Sequence, residues 1–308
     1  MTMRWQANVA LLVTAGIWGL AFVAQRVGME YLEPFTFNGI RFLLGALSLL
    51  PLLWWQQYRK PVAKESLPRF RVVGIGVVAG LILFLAASLQ QIGIVDTTAG
   101  KAAFVTSMYI VLVPLSGVLL GRRVESSLWL GCLLSLLGLY FLCIREDFTL
   151  AFGDLLVLLG AVFWTMHILW IDRFASQVQV LSLAVWQFMT CALLSLVVAA
   201  FTETITLAGI KGALSPILYG GIGSVGIAYT LQIVGQKRAE PTQASLILSL
   251  ETVFAALGGY FLLQEFLSFW ELLGCLLMMT GIVVAQIPWL NWRSGVKDSL
   301  RLEKAEIK

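Results

Sequence analysis

Apolar residues run along this chain in long stretches, and the polar residues that separate them come in short clusters. Crossing about 30 Å of hydrocarbon takes roughly 20 apolar residues in a helix. Ten stretches meet that length: Asn8 to Arg26, Phe35 to Trp55, Val72 to Ile94, Ala99 to Leu120, Leu128 to Ile144, Gly153 to Ile171, Leu181 to Phe201, Gly212 to Val234, Ala244 to Leu263 and Trp270 to Ile287. The connections between them are short, except Gln56 to Arg71 and a polar tail from Asn291. No soluble domain fits anywhere. Trp5, Trp54, Trp55, Trp129, Trp270, Trp289 and Trp292 fall near the ends of the stretches, where an amphipathic ring prefers the headgroup level. The pattern predicts an all-α integral membrane protein with ten transmembrane helices.

Composition agrees. Of 308 residues 59% are hydrophobic and only 12% charged, about half the charged share of a soluble domain. Mean hydropathy is +0.88. Cys132, Cys143, Cys191 and Cys275 all lie inside apolar stretches and read as small buried hydrophobes, with neither the spacing nor the histidine of a metal site. The first stretch has no small-residue cleavage site before Gln25, so it is expected to be a retained helix.

The formal charge of +4 is explained by orientation in a membrane and calls for no nucleic-acid partner. Sixteen basic residues fall at the N-terminus, in the even-numbered connections and in the tail: Arg4, Arg59, Lys60, Lys64, Arg69, Arg71, Arg122, Arg123, Arg173, Lys237, Arg238, Arg293, Lys297, Arg301, Lys304 and Lys308. The odd-numbered connections hold four, Arg26, Lys101, Arg145 and Lys211. Short cytoplasmic loops are the ones enriched in Lys and Arg, so both termini are expected on the cytoplasmic side of a bacterial-type inner membrane.

The chain also repeats itself. Leu89-Gln90 followed by Gly93 returns as Leu231-Gln232 followed by Gly235, and Leu130-Gly-Cys-Leu-Leu-Ser-Leu-Leu-Gly138 returns 143 residues on as Leu273-Gly-Cys-Leu-Leu-Met-Met-Thr-Gly281. The glycine pairs Gly131/Gly138 and Gly274/Gly281 return to nearly one helix face and allow close backbone approach. A fainter match at an offset of 146 pairs Ala15 and Trp18 with Ala161 and Trp164, then Arg41-Phe42 with Gln187-Phe188. Five spans per half is an odd number, so the second half must start from the opposite face and lie inverted. The expected division is a first repeat over residues 1–147, an inverted second over 148–290 and a cytoplasmic tail over 291–308. Inverted repeats offer two near-equivalent halves that can exchange inward-open and outward-open states around a central site.

Ile17-Trp-Gly-Leu-Ala-Phe22, Ile40-Arg-Phe-Leu-Leu-Gly45, Thr97-Thr-Ala-Gly-Lys-Ala-Ala103 leading to Val113-Pro114, and Leu250-Glu-Thr-Val-Phe-Ala-Ala256 ending at Gln264-Glu265 resemble the EamA-type branch of the drug/metabolite transporter superfamily. The resemblance runs from about Asn8 to Gln286. It implies a ten-helix inverted-repeat transporter and leaves the substrate open, because members move amino acids, nucleotide derivatives, vitamins and lipophilic drugs. Two positions depart from the pattern: Arg122 stands where an acidic residue is common, and Thr252 stands where a proline often comes after the glutamate.

Ionisable side chains inside a span are costly, about 2.5 to 3.5 kcal/mol on insertion scales, so each is a candidate functional group. Glu251, well inside the ninth span, can bind a substrate amine or carry a proton; a structural carboxylate satisfied by Arg41 or helix N–H groups is the alternative. Arg41, matched by Gln187 across the repeat, can hold a substrate carboxylate bidentately, with Gln187 as a hydrogen-bonding companion. A packing salt bridge from Arg41 to Glu33 or Glu251 is the other reading. His167, the single histidine, lies near Trp164 and Trp170 on one side of its helix and is a second proton-coupling candidate or a core histidine. Trp18, Phe22, Trp164, Trp186 and Tyr229 can form aromatic walls or plain packing. Gln90 and Gln232, repeat mates, either line the pathway or cap short connections. Pro114 removes a backbone hydrogen bond mid-span and is a hinge candidate.

Together these residues point to a secondary transporter, an exporter by preference, of a small organic metabolite such as an amino acid. Broad efflux of aromatic or cationic compounds is the second reading, and an intramembrane enzyme the third. The chain shows no Gly-rich phosphate loop for ATP and no nucleophile in a recognisable setting. A passive channel would need a continuous polar stripe. The expected partners are a small-molecule substrate and the lipid bilayer, in a monomer or homodimer, with neither cofactor nor metal.

Overall fold

Every described element of the computed structural model is helical; the described residues are 3–59, 67–97, 99–122, 124–143, 152–263 and 268–285. Helices α1 (Met3–Gly28), α2 (Pro34–Arg59) and α3 (Arg69–Gly93) cover the first three predicted spans. The fourth is split into α4 (Ala99–Thr106) and α5 (Tyr109–Leu119), and the fifth is α6 (Ser126–Cys143). After α7 (Phe152–Phe174) and α8 (Val180–Thr202), the eighth span is composite: α9 (Leu207–Gly212), α10 (Leu214–Leu218), a π-helical segment (Tyr219–Tyr229) and α11 (Thr230–Gln236). The ninth is α12 (Pro241–Leu248) followed by α13 (Glu251–Leu263), and the tenth is α14 (Phe269–Ala285). Among the described residues, seven helical stretches are long and apolar enough to cross a membrane, and parts of α6 and α14 form shorter apolar helices. The chain is a multi-pass membrane protein. The expected boundaries at 147/148 and 290/291 and the tail over 291–308 lie outside the described residues.

Packing partners are exchanged in pairs between the two halves. The most extensive interfaces join α6 to α14 and α2 to α8. Helix α3 packs on α7 and α8, and its repeat mate, the stretch from the π-helical segment through α11, packs on α1, with the π-helical part also on α2. Helix α1 lies along α12 and α13, as α7 lies along α4 and α5. The repeated glycines do what their spacing implies. A Cβ on Gly131 would meet the Gly281 carbonyl at 2.7 Å, and one on Gly138 the Gly274 carbonyl at 2.6 Å. The low residue of one helix faces the high residue of the other, so α6 and α14 run antiparallel with their backbones in near contact. Gly93 and Gly153 do the same for α3 and α7, each Cβ position falling 2.5 Å from the other's carbonyl.

The two split spans break at equivalent places, Ser107-Met108 and Ser249-Leu250. Bonds reaching back three residues mark both: Met108 N–H to the Val105 carbonyl at 3.2 Å, and Leu250 N–H to the Ile247 carbonyl at 3.2 Å. Such tightened turns are poor continuations of an α-helix. Serine hydroxyls at the second break add their own bonds to the backbone, Ser245 to the Thr242 carbonyl at 2.9 Å and Ser249 to the Leu246 carbonyl at 2.8 Å. The breaks also touch, with Ser107 Oγ 2.7 Å from Thr252 Oγ1, which donates to the Ala103 carbonyl at 3.4 Å. This corrects the expectation of a hinge at Pro114. That residue lies within α5, beyond the break, and the mate break occurs with no proline in α13, so proline is not the shared cause.

Charged residues tie the ends. The Glu203 carboxylate accepts from Phe35 N–H at 2.7 Å, Thr36 N–H at 2.6 Å and the Thr36 hydroxyl at 2.7 Å, capping α2 from across the fold. Glu33 accepts from Thr204 N–H at 2.9 Å in return. Arg26 Nη1 donates to the Val95 carbonyl at 3.3 Å, just past the C-terminus of α3, and Arg122 pairs with Asp172 at 2.8 Å.

Candidate functional site

Helices α1, α2, α3 and α7, the π-helical segment and the two broken spans converge on one interior cavity. Its volume is about 30 Å³, room for about two waters. Trp18 and Phe22 enter from α1, Arg41 from α2, Gln90 from α3, Trp164 from α7, Tyr229 and Gln232 from the eighth span, and Glu251 from the start of α13. Those eight were singled out by the sequence, and the fold brings them to one place.

Three aromatic rings form its wall. Tyr229 stands edge-on to Trp18 at 4.6 Å between centroids and stacks on Trp164 at 6.1 Å, while the two tryptophans are 6.4 Å apart. Such geometries suit π systems that pack without overlapping their negative faces.

Both charges are deeply buried, Arg41 at 2% exposure and Glu251 at 3%. They do not form an ion pair. The Glu251 carboxylate accepts from the Tyr109 hydroxyl at 2.9 Å. Among the described residues, the hydrogen bond of the Arg41 side chain is from Nε to Asn38 Oδ1 at 2.9 Å, and its guanidinium carbon stands 5.0 Å from the Phe42 ring centre and 5.5 Å from that of Phe37. Ring faces soften the burial of a cation but leave guanidinium donors free. Glu33, the other proposed partner of Arg41, is occupied at the loop end with Thr204.

The chain matches the EamA-like transporter family twice, over residues 5–144 and 151–286. The chain belongs to the EamA-like transporter family. Among relatives of this transporter, an uncharacterized transporter of Archaeoglobus fulgidus is 30% identical, over 92% of this chain and 87% of that one. The uncharacterized transporter YoaV of Bacillus subtilis is 25% identical, over 86% and 91%. A protein of Escherichia coli described as a probable amino-acid metabolite efflux pump is 24% identical, over 96% and 98%. One crystal structure superposes with a TM-score of 0.75 at 20% identity, covering 93% of this chain and 98% of the other, and shows a shared fold.

Three of the transporter's candidate residues stand apart from the cavity. His167 is fully buried behind the wall, its ring 6.1 Å from that of Trp164 and 6.3 Å from that of Tyr229. Its Nε2 lies 3.1 Å from Gln187 Oε1, so the repeat mate of Arg41 serves the histidine. Trp186 corrects the aromatic-wall expectation: it is 38% exposed and lines a separate outer groove with Arg69, Ser182 and Met189.

Sequence reasoning also missed residues. Tyr109 holds Glu251, Asn38 holds Arg41, and Gln25 and Thr106 complete the bonds of Gln90. Buried polar positions inside apolar spans were the available signal, and Gln25 and Asn38 carry it.

Proposed function

We propose that this transporter is a secondary carrier of small zwitterionic metabolites, amino acids being the plain case, exporting them by alternating access. The observation that carries the reading is a buried cation and a buried carboxylate that share one aromatic-walled cavity without pairing. A charge buried without an opposite charge is costly, and a substrate carboxylate at Arg41 supplies the missing partner with two parallel hydrogen bonds. Its ammonium group then faces Glu251, and its side chain the rings of Trp18, Trp164 and Tyr229. The relative described as a probable amino-acid metabolite efflux pump supports the same class.

Ten crossings in two inverted halves are part of the proposal. Supporting it are the antiparallel α6/α14 and α3/α7 pairs, the exchange of packing partners between halves and the two family matches. The basic-residue bias supports cytoplasmic termini in a bacterial-type inner membrane. A cavity of about 30 Å³ is too small for an amino acid, so the walls must part, which is what alternating access requires.

The test is counterflow in proteoliposomes with amino acids and with the amines left when their carboxyl group is removed. Arg41→Gln raises KM for amino acids about 10- to 100-fold, the worth of a charged hydrogen bond, and leaves the amines unaffected. Arg41→Lys recovers only part of the loss, since an ammonium lacks the planar fork. Equal transport of amines and amino acids by the parent protein, indifferent to Arg41, overturns the zwitterion reading. It would favour efflux of aromatic cations, for which Glu251 and the three rings are the supporting observation.

A further inference from the structure

The two halves of the cavity differ in how a tryptophan and a glutamine are bonded. Trp164 and Gln90 are the repeat mates of Trp18 and Gln232, and the α7–α3 interface is the mate of the α1 interface with the eighth span. In the first pair Trp164 Nε1 donates to Gln90 Oε1 at 2.9 Å. Both polar atoms of the Gln90 amide are then partnered: its oxygen also accepts from Thr106 at 3.4 Å, and its nitrogen donates to Gln25 Oε1 at 3.1 Å.

In the mate pair the bond is absent. Trp18 Nε1 donates instead to the Ser224 backbone carbonyl at 3.3 Å. Gln232, 1% exposed, keeps a buried Oε1 without a donor among the described residues. Buried acceptors are almost always satisfied in native proteins, so an orphan oxygen at the mate of one that accepts two bonds is an asymmetry that calls for a cause. The backbone supplies one. Helix α3 is α-helical throughout, whereas its counterpart is π-helical from Tyr219 to Tyr229, a segment that contains the Ser224 carbonyl Trp18 uses and ends three residues before Gln232. Wide π turns rotate the helix beyond them and concentrate at functional sites.

We infer that Trp164–Gln90 and Trp18–Gln232 are alternating latches, one closed in each of the two access states, and that Gln232 is the acceptor Trp18 takes when Trp164 releases Gln90. In an inverted repeat, one access state is reached by giving each half the conformation of the other. The bond the first half holds here is therefore the bond the second half makes in the opposite state. The proposal rests on the alternating-access reading and adds the residues that set its balance.

The measurement is the set of indole N–H resonances of the full chain in nanodiscs, with Trp18 and Trp164 assigned from Trp18→Phe and Trp164→Phe. Gln90→Met removes the Trp164 acceptor; the expected result is a Trp18 resonance moved to a new, hydrogen-bonded position, its population raised about fivefold, the weight of one ordinary hydrogen bond. Gln232→Met is expected to leave Trp164 locked on Gln90 and to slow counterflow. Should Gln90→Met not fold, Trp164→Phe opens the same latch while keeping an aromatic ring, and the Trp18 resonance must respond alike. A Trp18 resonance indifferent to Gln90, Trp164 and Gln232 changes overturns the latch, even in a protein whose counterflow is intact. Absence of counterflow in the parent protein would instead strike the carrier reading.

Discussion

Glu203→Ala is a sharp test of how the helix ends are held. In the native protein this carboxylate accepts from Phe35 N–H, Thr36 N–H and the Thr36 hydroxyl at 2.6 to 2.7 Å. Phe35 and Thr36 open α2, whose first N–H groups have no partner within the helix. Loss of a side-chain cap costs about 0.5 to 2 kcal/mol; short bonds to a charged acceptor, aided by the positive end of the helix dipole, put this one at the upper end. The expectation is about 2 kcal/mol. At roughly 2 to 4 °C per kcal/mol, the melting temperature in detergent falls by about 4 to 8 °C. Glu203→Gln keeps one acceptor oxygen and loses about half as much. The control is Glu30→Ala, an exposed carboxylate near the same loop, expected within about 0.5 kcal/mol of the parent. If Glu203→Ala melts with that control, the cap across the fold contributes nothing and the reasoning fails.

Two further expectations concern packing. Gly131→Val places its Cβ 2.7 Å from the Gly281 carbonyl and 2.8 Å from Ala285 Cβ, so α6 and α14 must part, at about 1 to 3 kcal/mol. Gly74→Ala, with open space around it in α3, is neutral or stabilising by up to about 1 kcal/mol; both are read from thermal unfolding. Thr252→Val keeps the shape but removes the hydroxyl contact with Ser107 and the bond to the Ala103 carbonyl. It lowers stability by about 1 kcal/mol, again by melting temperature, and an unchanged value refutes the contact between the two breaks.

What the sequence made legible is what period, length and repetition can encode. Long apolar runs located the helices to within a few residues, glycines seven apart marked faces of close approach that the fold joins as α6 and α14, and the two offsets paired Trp18 with Trp164 and Gln90 with Gln232. Angular position was legible too but was not used: Trp186 adjoins buried Gln187, and about 100° of rotation per residue turns it out of the interior. The break at Ser249-Leu250 was missed because proline was the expected mark of a bend, while serine back-bonding and contact with the other break did the bending. The π-helical segment left no trace, since a uniformly apolar Gly-rich run fits either turn width. Tyr109 with Glu251 is a contact across 142 residues, and only the fold joins them.

In the proposed carrier, the division of labour between symmetry and its violation explains why the choice of substrate rests on so few residues. In the proposed alternating-access cycle, groups present in both halves, such as Trp18 with Trp164 and Gln90 with Gln232, serve a motion in which the halves trade places, so they close the path on one side or the other without favouring an orientation of the cargo. Arg41 and Glu251 have no charged counterpart: their mates are Gln187, bonded to His167, and Tyr109, which opens α5 as Glu251 opens α13. A carrier can give a substrate a head and a tail only where the repeat is broken. The Arg41 variants therefore change which molecules move, whereas the latch variants change how often any molecule does, and a latch variant that altered selectivity while leaving the rate intact would contradict this separation.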